Sequence, residues 1–402
     1  MQRLSKKVTA VGAVAATCVV LFLFILLLWR GPWWFDGSHI NNKNLQPADG
    51  VVITGFRTAL IALGAGVVAA AGLYYTHRTL QHTRERDREQ AELTREGQMT
   101  DRYVEAIKLL GSASLTERLG GIYALERILR DSVKDHFTVV EVLAAFVRTN
   151  AAAGNPAPPE PVAEDVRAAL EVLRRRPEDR RGGPLQLSNV CLPKASLDHA
   201  FLHSAVMRGA QLQAADLQSC DATYSFLSDA GLDGAFLYNA TLYGADLKNS
   251  RLNGAQLLSA NLDKAQLLGA CLDAANLHKV RAREADLNDA SLRDASLQGS
   301  DWSNSSFLGA DLSGATLTNA RFRQASFVGV KFGTAVLAGA DIAYANLDGA
   351  DLSAAAGLTV DQLLTAKVYG STRLPGAFEE NPNIAQHVRA CEKEIFAGPF
   401  LE

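Results

Sequence analysis

Cysteine is scarce and none of it is placed for chemistry. The five residues, Cys18, Cys191, Cys220, Cys271 and Cys391, are odd in number, widely spaced and never in a CxxC pair. That argues against a disulfide framework or a zinc site and for a reducing compartment. The eight histidines are equally scattered, with no HExxH. No charge of one sign dominates either: a formal net charge of −3 gives no global pull toward nucleic acid or anionic lipid, so any electrostatic argument is local. Also missing are a P-loop, a dinucleotide fingerprint after a strand and a nucleophile elbow; "GAG" at 64–66 lies in an apolar run and reads as helix packing. The expectation is a protein that is not an enzyme and takes no cofactor or metal.

Long apolar runs are present at the start. Val8 to Trp29 carries no charge over about 22 residues, enough at 1.5 Å per residue to cross a hydrocarbon layer of roughly 30 Å. Val51 to Tyr75 has similar length and one charge, Arg57, which is expected to snorkel to the interface. Trp33, Trp34, Tyr74 and Tyr75 sit where aromatic belts lie. The first run is too long, and lacks the exit, for a cleaved signal peptide. Arg3, Lys6 and Lys7 precede it, and Arg78, Arg84, Arg86 and Arg88 follow the second run, whereas the loop between holds only Arg30 and Lys43. The positive-inside rule then puts both ends in the cytoplasm. Gly12 and Ala16 in the first run and Ala62, Gly66 and Ala70 in the second are spaced for close helix approach, most simply within the hairpin, with a homodimer face as the alternative.

Residues 76–98 interleave Arg and Glu without a sustained apolar seam, which predicts a solvated stalk helix. Ser114 with Glu117 and Thr138 with Glu141 are capping boxes, and Phe137 is placed to staple onto Val142. With Leu115, Leu119, Ile122, Leu125, Ile128 and Leu129 on one face, 101–149 should form a small helical bundle; Gly120 and Gly121 there read as close helix packing. A Pro-rich linker, 153–161, and a helix over 162–175 follow.

From Leu185 the chain divides into 34 pentads of the form small, any, Leu or Phe, any, any; the centres are Leu, Phe, Met, Ile or Trp, with Ala222 and Ala282 as the exceptions. An α-helix turns about 500° in five residues, so such a pattern leaves it no buried face. A flat strand fails on parity, because alternate pentads would point their Ala to opposite sides. The chain must bend once per pentad. The position two after the Leu is Gly in eleven pentads, from Gly209 to Gly349, and Asn in five, so the corner lies there. Four sides per coil, stacked roughly 4.8 Å apart, give about eight coils around a core of Leu and Ala. Thr359 with Gln362 forms a further capping box over the C-terminal end, and the 162–175 helix is the expected lid at the other.

"ADLKN", "ANLDK", "ADLND", "ADLSG", "ANLDG" and "ADLSA" resemble the A(D/N)LXX signature of the pentapeptide-repeat family. The resemblance implies a right-handed quadrilateral β-helix. Residues 1–150 look like the two-span helical part of some bacterial members, which implies a cell (inner) membrane location. The expected domains are a transmembrane hairpin over 1–78 (spans about 8–29 and 51–75), a cytoplasmic stalk and bundle over 79–150, linker and capping helix over 151–184, the solenoid over 185–354, and a cap and tail over 355–402.

The Asp and Asn before each Leu resemble paired carboxylates but recur with the repeat and are expected to point into water. Some family members mimic DNA with an acidic rod and bind DNA gyrase; here 17 Asp or Glu stand against 12 Lys or Arg between 185 and 354, a modest excess. With twenty residues per coil, one face gathers Phe201, Tyr224 and Tyr243 toward one end and Lys264, Arg281, Arg283, Arg321 and Arg323 toward the other. Arg281 and Arg321 would stand two rungs apart, roughly 10 Å, able to grip one acidic partner. The bland alternative is a solvated face, its Arg neutralised by Glu284 and Asp301 and its aromatics covered by the protein's own helices. The reading is a membrane-tethered scaffold that binds the bilayer through two spans and an unknown protein partner through the rod, with no direct nucleic-acid binding. A DNA-mimicking regulator and a structural envelope protein are the alternatives.

Overall fold

The computed structural model describes residues 2–36, 47–154, 162–176 and 183–396. Lys43 and most of the expected loop, the Pro-rich linker from 155 to 161, "PEDRRG" at 177–182 and the tail after 396 lie outside the described residues. The chain forms two compact units, Met1–Gln98 and Met99–Glu402.

In the first unit, α1 (Gln2–Asp36) and α2 (Pro47–Leu110, its last turns in the second unit) are each long and apolar enough to cross a membrane. Residues 76–98 are helical and exposed throughout, as an interleaved Arg/Glu sequence without an apolar stripe requires. The two helices meet where glycine meets phenylalanine: a Cβ at Gly31 would lie 2.6 Å from the Phe56 ring, and one at Gly64 would lie 2.8 Å from Phe24. Gly66, expected at this contact, has nothing within 4 Å. Arg57 does not turn outward; its Nε–H donates to Leu28 O at 3.1 Å.

The second unit begins with α3 (Leu115–Asp131), α4 (His136–Asn150) and α5 (Glu164–Arg174). Ile122, Leu125 and Ile128, Val139, Leu143 and Val147, and Val166, Ala169 and Leu173 are buried in one core. Leu115 is exposed instead of joining that face. Gly121 shows why the double glycine is there: a Cβ would stand 2.7 Å from Ala106 O, whereas Gly120 faces open space. Neither capping box forms. Ser114 is the N-cap of α3 without a side-chain bond, because Glu117 is taken by the Ser112 hydroxyl. Helix α4 starts earlier than expected, with Asp135 as N-cap, so Thr138 lies inside it and the Phe137 ring lies against Gly183. Arg118 Nε donates to the buried Asp165 at 2.6 Å and ties α3 to α5.

The solenoid follows from the pentad. Every fifth residue from Asn189 to Gly349 has positive φ, Thr334 excepted, where Gly333 takes the turn instead. At these corners, those at Asn189 and Glu284 excepted, the following residue donates its N–H to the central residue's carbonyl, and positive φ at the third position is the requirement of a type II turn. The pentad 261–265 shows the full accounting. Asn261 N–H reaches back to Ala240 O (2.9 Å), Leu262 N–H forward to Arg281 O (2.6 Å), Lys264 N–H to Arg283 O (2.8 Å), and Ala265 N–H to Leu262 O (3.0 Å). The remaining donor, Asp263 N–H, is taken by the Asn261 side chain at 3.1 Å.

The parallel bridges run from Gln186↔Val206 to Val336↔Ala356 at a constant offset of twenty, which makes the coil four-sided. Each side is too short for a strand, so among the described residues the coils are joined by single-residue bridges. Leu and the preceding Ala fill the interior; toward the C-terminal end Trp302, Phe307, Phe322, Phe327 and Phe332 replace Leu, with ring centroids 5.1–5.9 Å apart. Ala282 precedes Trp302 by one coil in the same column, pairing a small centre with the largest. Ser300 stands at a small position there and accepts from Trp302 Nε1–H at 2.6 Å. Ser305 inserts its hydroxyl into the Ala282 corner, donating to Ala282 O (2.6 Å) and accepting from Ala285 N–H (3.1 Å).

Both ends are closed. At the first coil Cys191 N–H donates to Ala151 O (2.6 Å) and Arg174 reaches Asp198 (3.1 Å), while α5 shares the core with Leu185 and Leu192. At the last, the Thr359–Gln362 capping box forms on α6 (Val360–Thr365), and Gln362 Nε2–H also donates to Leu337 O and Ala340 O. Two further helices, α7 (Gly376–Glu379) and α8 (Pro382–Phe396), cover this end where only a tail was expected. Asn381, accepting from Asn383 N–H at 3.0 Å, with Pro382 in the first turn, was the overlooked start signal. Trp302→Ala should lower unfolding stability by about 3–5 kcal/mol, while Arg321→Ala should change it by less than about 0.5 kcal/mol; denaturant midpoints followed by circular dichroism give both values.

Candidate functional site

The Asp and Asn before the Leu residues are half-exposed, and they also bond locally. Their side-chain oxygens turn back to accept the N–H two residues on: Asp216 from Gln218 (3.1 Å), Asp286 from Asn288 (3.1 Å) and Asp341 from Ala343 (3.1 Å) are examples. In several pentads where that position holds another residue, the coil before supplies the acceptor. Asn253 receives Asp273 N–H (3.2 Å), Asp263 receives Arg283 N–H (2.9 Å) and Asp273 receives Arg293 N–H (3.0 Å). Each such bond occupies one side-chain oxygen and leaves the group half-exposed, the buried Asp263 excepted. Among the described residues no cluster of three or more His, Cys, Asp or Glu is placed to hold a metal ion. A cavity of about 510 Å³ between α5 and the first coil is lined by Leu170, Pro193, Ala195, Arg167 and Glu171, and its Arg and Glu are paired with Glu164 and Arg174.

The face expected from coil arithmetic is assembled as two clusters. In the first, Phe201 stacks on His203 (5.9 Å), His203 meets Tyr224 edge-on (6.0 Å), and Tyr224 meets Tyr243 edge-on (5.5 Å). Tyr224 occupies a corner at φ 55°, and its ring lies over Gly244, where a Cβ would stand 2.7 Å away. Helices do not cover it; Tyr224 is 50% exposed. Lys264 Nζ stands 6.0 Å over the Tyr243 ring and 3.6 Å from Glu284, and the Tyr243 hydroxyl and then that carboxylate raise its pKa. Loss of solvation and the Tyr243 phenol raise that of Tyr224.

In the second cluster Arg281 and Arg283 converge on one carboxylate, Asp263, at 2.8 and 2.9 Å. Arg281 and Arg321 do stand two rungs apart, joined through Asp301. They do not act as a pair of free cations, because Arg281 is engaged by Asp263. Arg323 is held by Asp341 at 3.1 Å, and of the five cations only Arg321 has no acidic partner within 4.0 Å among the described residues. Glu284 thus pairs Lys264 rather than an Arg, and Asp301 accepts from Ser303 (2.7 Å).

The rule missed from sequence is an offset of eighteen. The residue after a central Leu lies beside the residue before the central position one coil on, as in Asp233–Arg251, Asp263–Arg281, Arg293–Asp311 and Arg323–Asp341. The same offset sets Arg208 5.2 Å over the Phe226 ring, a further exposed contact the sequence reading passed over.

Burial opposes ionisation of Asp263, but the hydrogen bonds from Arg283 and the charges of Arg281 and Arg283 outweigh it, and its pKa lies below the usual carboxylate value. A depressed folded-state pKa contributes stability that is present above the unfolded value, about 4, and is lost as pH falls through the folded value. Asp263→Asn should therefore destabilise the solenoid at pH 7, with the difference from the parent shrinking below about pH 4; thermal melts at pH 7, 5 and 3 measure it.

The match to known proteins follows this geometry. The family model described as "Pentapeptide repeats" matches eight copies, over 186–221, 210–249, 242–278, 285–324 and 316–353. The gap from 279 to 284 falls on the Ala282 corner into which Ser305 inserts its hydroxyl. No curated protein matches the chain significantly. Among solved structures, HetL, a pentapeptide repeat protein involved in heterocyst differentiation regulation from the cyanobacterium Nostoc, is 27% identical, with 46% of this chain and 90% of that one covered and a TM-score of 0.21. A pentapeptide repeat protein of the Arabidopsis thaliana thylakoid lumen is 30% identical over 22% of this chain and 63% of its own, TM-score 0.22. QnrB1, a plasmid-mediated fluoroquinolone resistance protein, is 15% identical over 48% and 89%, TM-score 0.30. Where the family model lies, over 186–278 and 285–353, the chain is similar to pentapeptide repeats in sequence, on a coil whose bridges repeat every twenty residues.

Proposed function

We propose that the protein is a membrane-tethered, non-catalytic interaction scaffold of the bacterial inner membrane, with both termini in the cytoplasm. Two helices long and apolar enough to cross a bilayer support the tether, and the Arg and Lys excess flanking them supports the orientation. The observation that carries the scaffold reading is the half-buried aromatic ladder Phe201–His203–Tyr224–Tyr243, with Tyr224 exposed at its centre, on a coil whose backbone is hydrogen-bonded on both sides. Arg281 and Arg283 are engaged by Asp263, so aromatic contact, with Lys264 beside it, would supply recognition of a protein partner, while Arg321, without an acidic partner among the described residues, stands four coils beyond Tyr243 along the face.

A DNA-mimicking surface would need a dense row of free carboxylates. Here many of the solenoid's Asp side chains accept backbone N–H bonds or pair with Arg, which favours the scaffold over the mimic. In-membrane photo-cross-linking with mass spectrometry, comparing the parent with Tyr224→Ala/Tyr243→Ala and with Arg321→Glu, tests the assignment. The double variant should lose at least about tenfold of its cross-linked partner, the scale of a hot-spot aromatic pair, with its circular dichroism unchanged. Undiminished cross-linking would remove the aromatic face, and inhibition of gyrase supercoiling by the protein would favour the mimic. Deleting residues 2–75 should move the chain to the soluble fraction.

A further inference from the structure

Arg57 is the one charged residue between Val51 and Tyr75, and α1 shows what holds it. Pro32 lies inside α1 and has no N–H, so the carbonyl four residues earlier, Leu28 O, lacks its helical donor. Arg57 Nε–H donates to that same carbonyl at 3.1 Å. The surrounding contacts belong to the same seam. Gly31 meets the Phe56 ring, the Phe35 and Phe56 rings lie 5.8 Å apart, and Gly64 meets the Phe24 ring.

We propose that this bond is a polar pin that makes α1 and α2 a single hairpin. Pro32 strands an acceptor in one helix, Arg57 brings a donor from the other, and the pairing fixes how the two register. In hydrocarbon an unpaired carbonyl and an unpaired guanidinium are each costly. Two features that would weaken either helix as a lone span therefore satisfy one another when both are present. On this account α1 is a permanent half of the anchor rather than an interchangeable apolar segment, and Arg57 is a positioning residue. The inference rests on the membrane-tether reading.

A double-mutant cycle on the full chain in mild detergent tests it. Arg57→Met and Pro32→Ala are made singly and together in a chain carrying Phe24→Cys and Gly64→Cys with the native cysteines replaced by Ala. Helix pairing is followed by disulfide trapping across an SDS titration. In the Pro32 background, Arg57→Met should weaken pairing roughly threefold, the size of a typical interhelical hydrogen bond in a membrane protein. In the Pro32→Ala background, where residue 32 again supplies an N–H to Leu28 O, the same change should have a much smaller effect. An equal loss in both backgrounds, or none in either, would overturn the pin. Alkaline carbonate extraction of the parent separates the two failures: release from the membrane sinks the tether reading, whereas a retained chain without coupling sinks only the pin.

Discussion

Backbone hydrogen bonds between residues nineteen or twenty-one apart, available only because the chain turns through positive φ every fifth residue, organise the C-terminal part of this protein. Without the corner the Leu column would not stay inside, and without the column the corners would have nothing to close around. In the pentad 261–265 all five N–H groups are spoken for, four by backbone carbonyls and one by Asn261. Such complete satisfaction explains how non-glycine residues, Tyr224 and Lys264 among them, are held at φ values they would otherwise avoid. It also explains why a cross-section this narrow accepts Trp302 only beside small neighbours, Ala282 in the coil before and Ser300 at its own corner.

The same bonds dictate what the surface can do. Asp and Asn are recruited as backbone acceptors, and Arg pairs with Asp across neighbouring coils at an offset of eighteen, so most of the rod's Arg side chains are engaged. The aromatic residues have no such internal demand on their outer faces. The proposed partner-binding role therefore shifts from the Arg cluster, where sequence arithmetic put its weight, to the ladder that ends at Tyr224 and Tyr243.

Polar groups at interruptions behave alike in both units. Pro32 frees the Leu28 carbonyl and Arg57 takes it; Ala282 leaves an open corner and Ser305 fills it; the last coil ends with Leu337 and Ala340 carbonyls and Gln362 covers them. In each case an irregular residue exposes a backbone group where water is scarce, and a side chain distant in sequence satisfies it. The capping boxes expected at Ser114 and Thr138 did not form, since Ser112 takes both Glu117 and the Ser114 N–H, and α4 starts with Asp135 as its N-cap so that Thr138 lies inside the helix.

Periodicity alone determined the four-sided coil, its register, its buried column and the position of its corner, because a five-residue repeat is incompatible with helix and strand alike and forces one bend per unit. Composition likewise marked the two apolar helices and the charged helix after them, since both depend on local residue type. Tertiary structure decided which side chains were left over. The pairing of Arg281 and Arg283 on Asp263, the capture of Arg57 by Leu28, and the exposure of Tyr224 all depend on groups from another coil or another helix. A repeat pattern specifies where side chains point, whereas the partner each finds is set by the offset between neighbouring coils and by the rare residues that break the pattern.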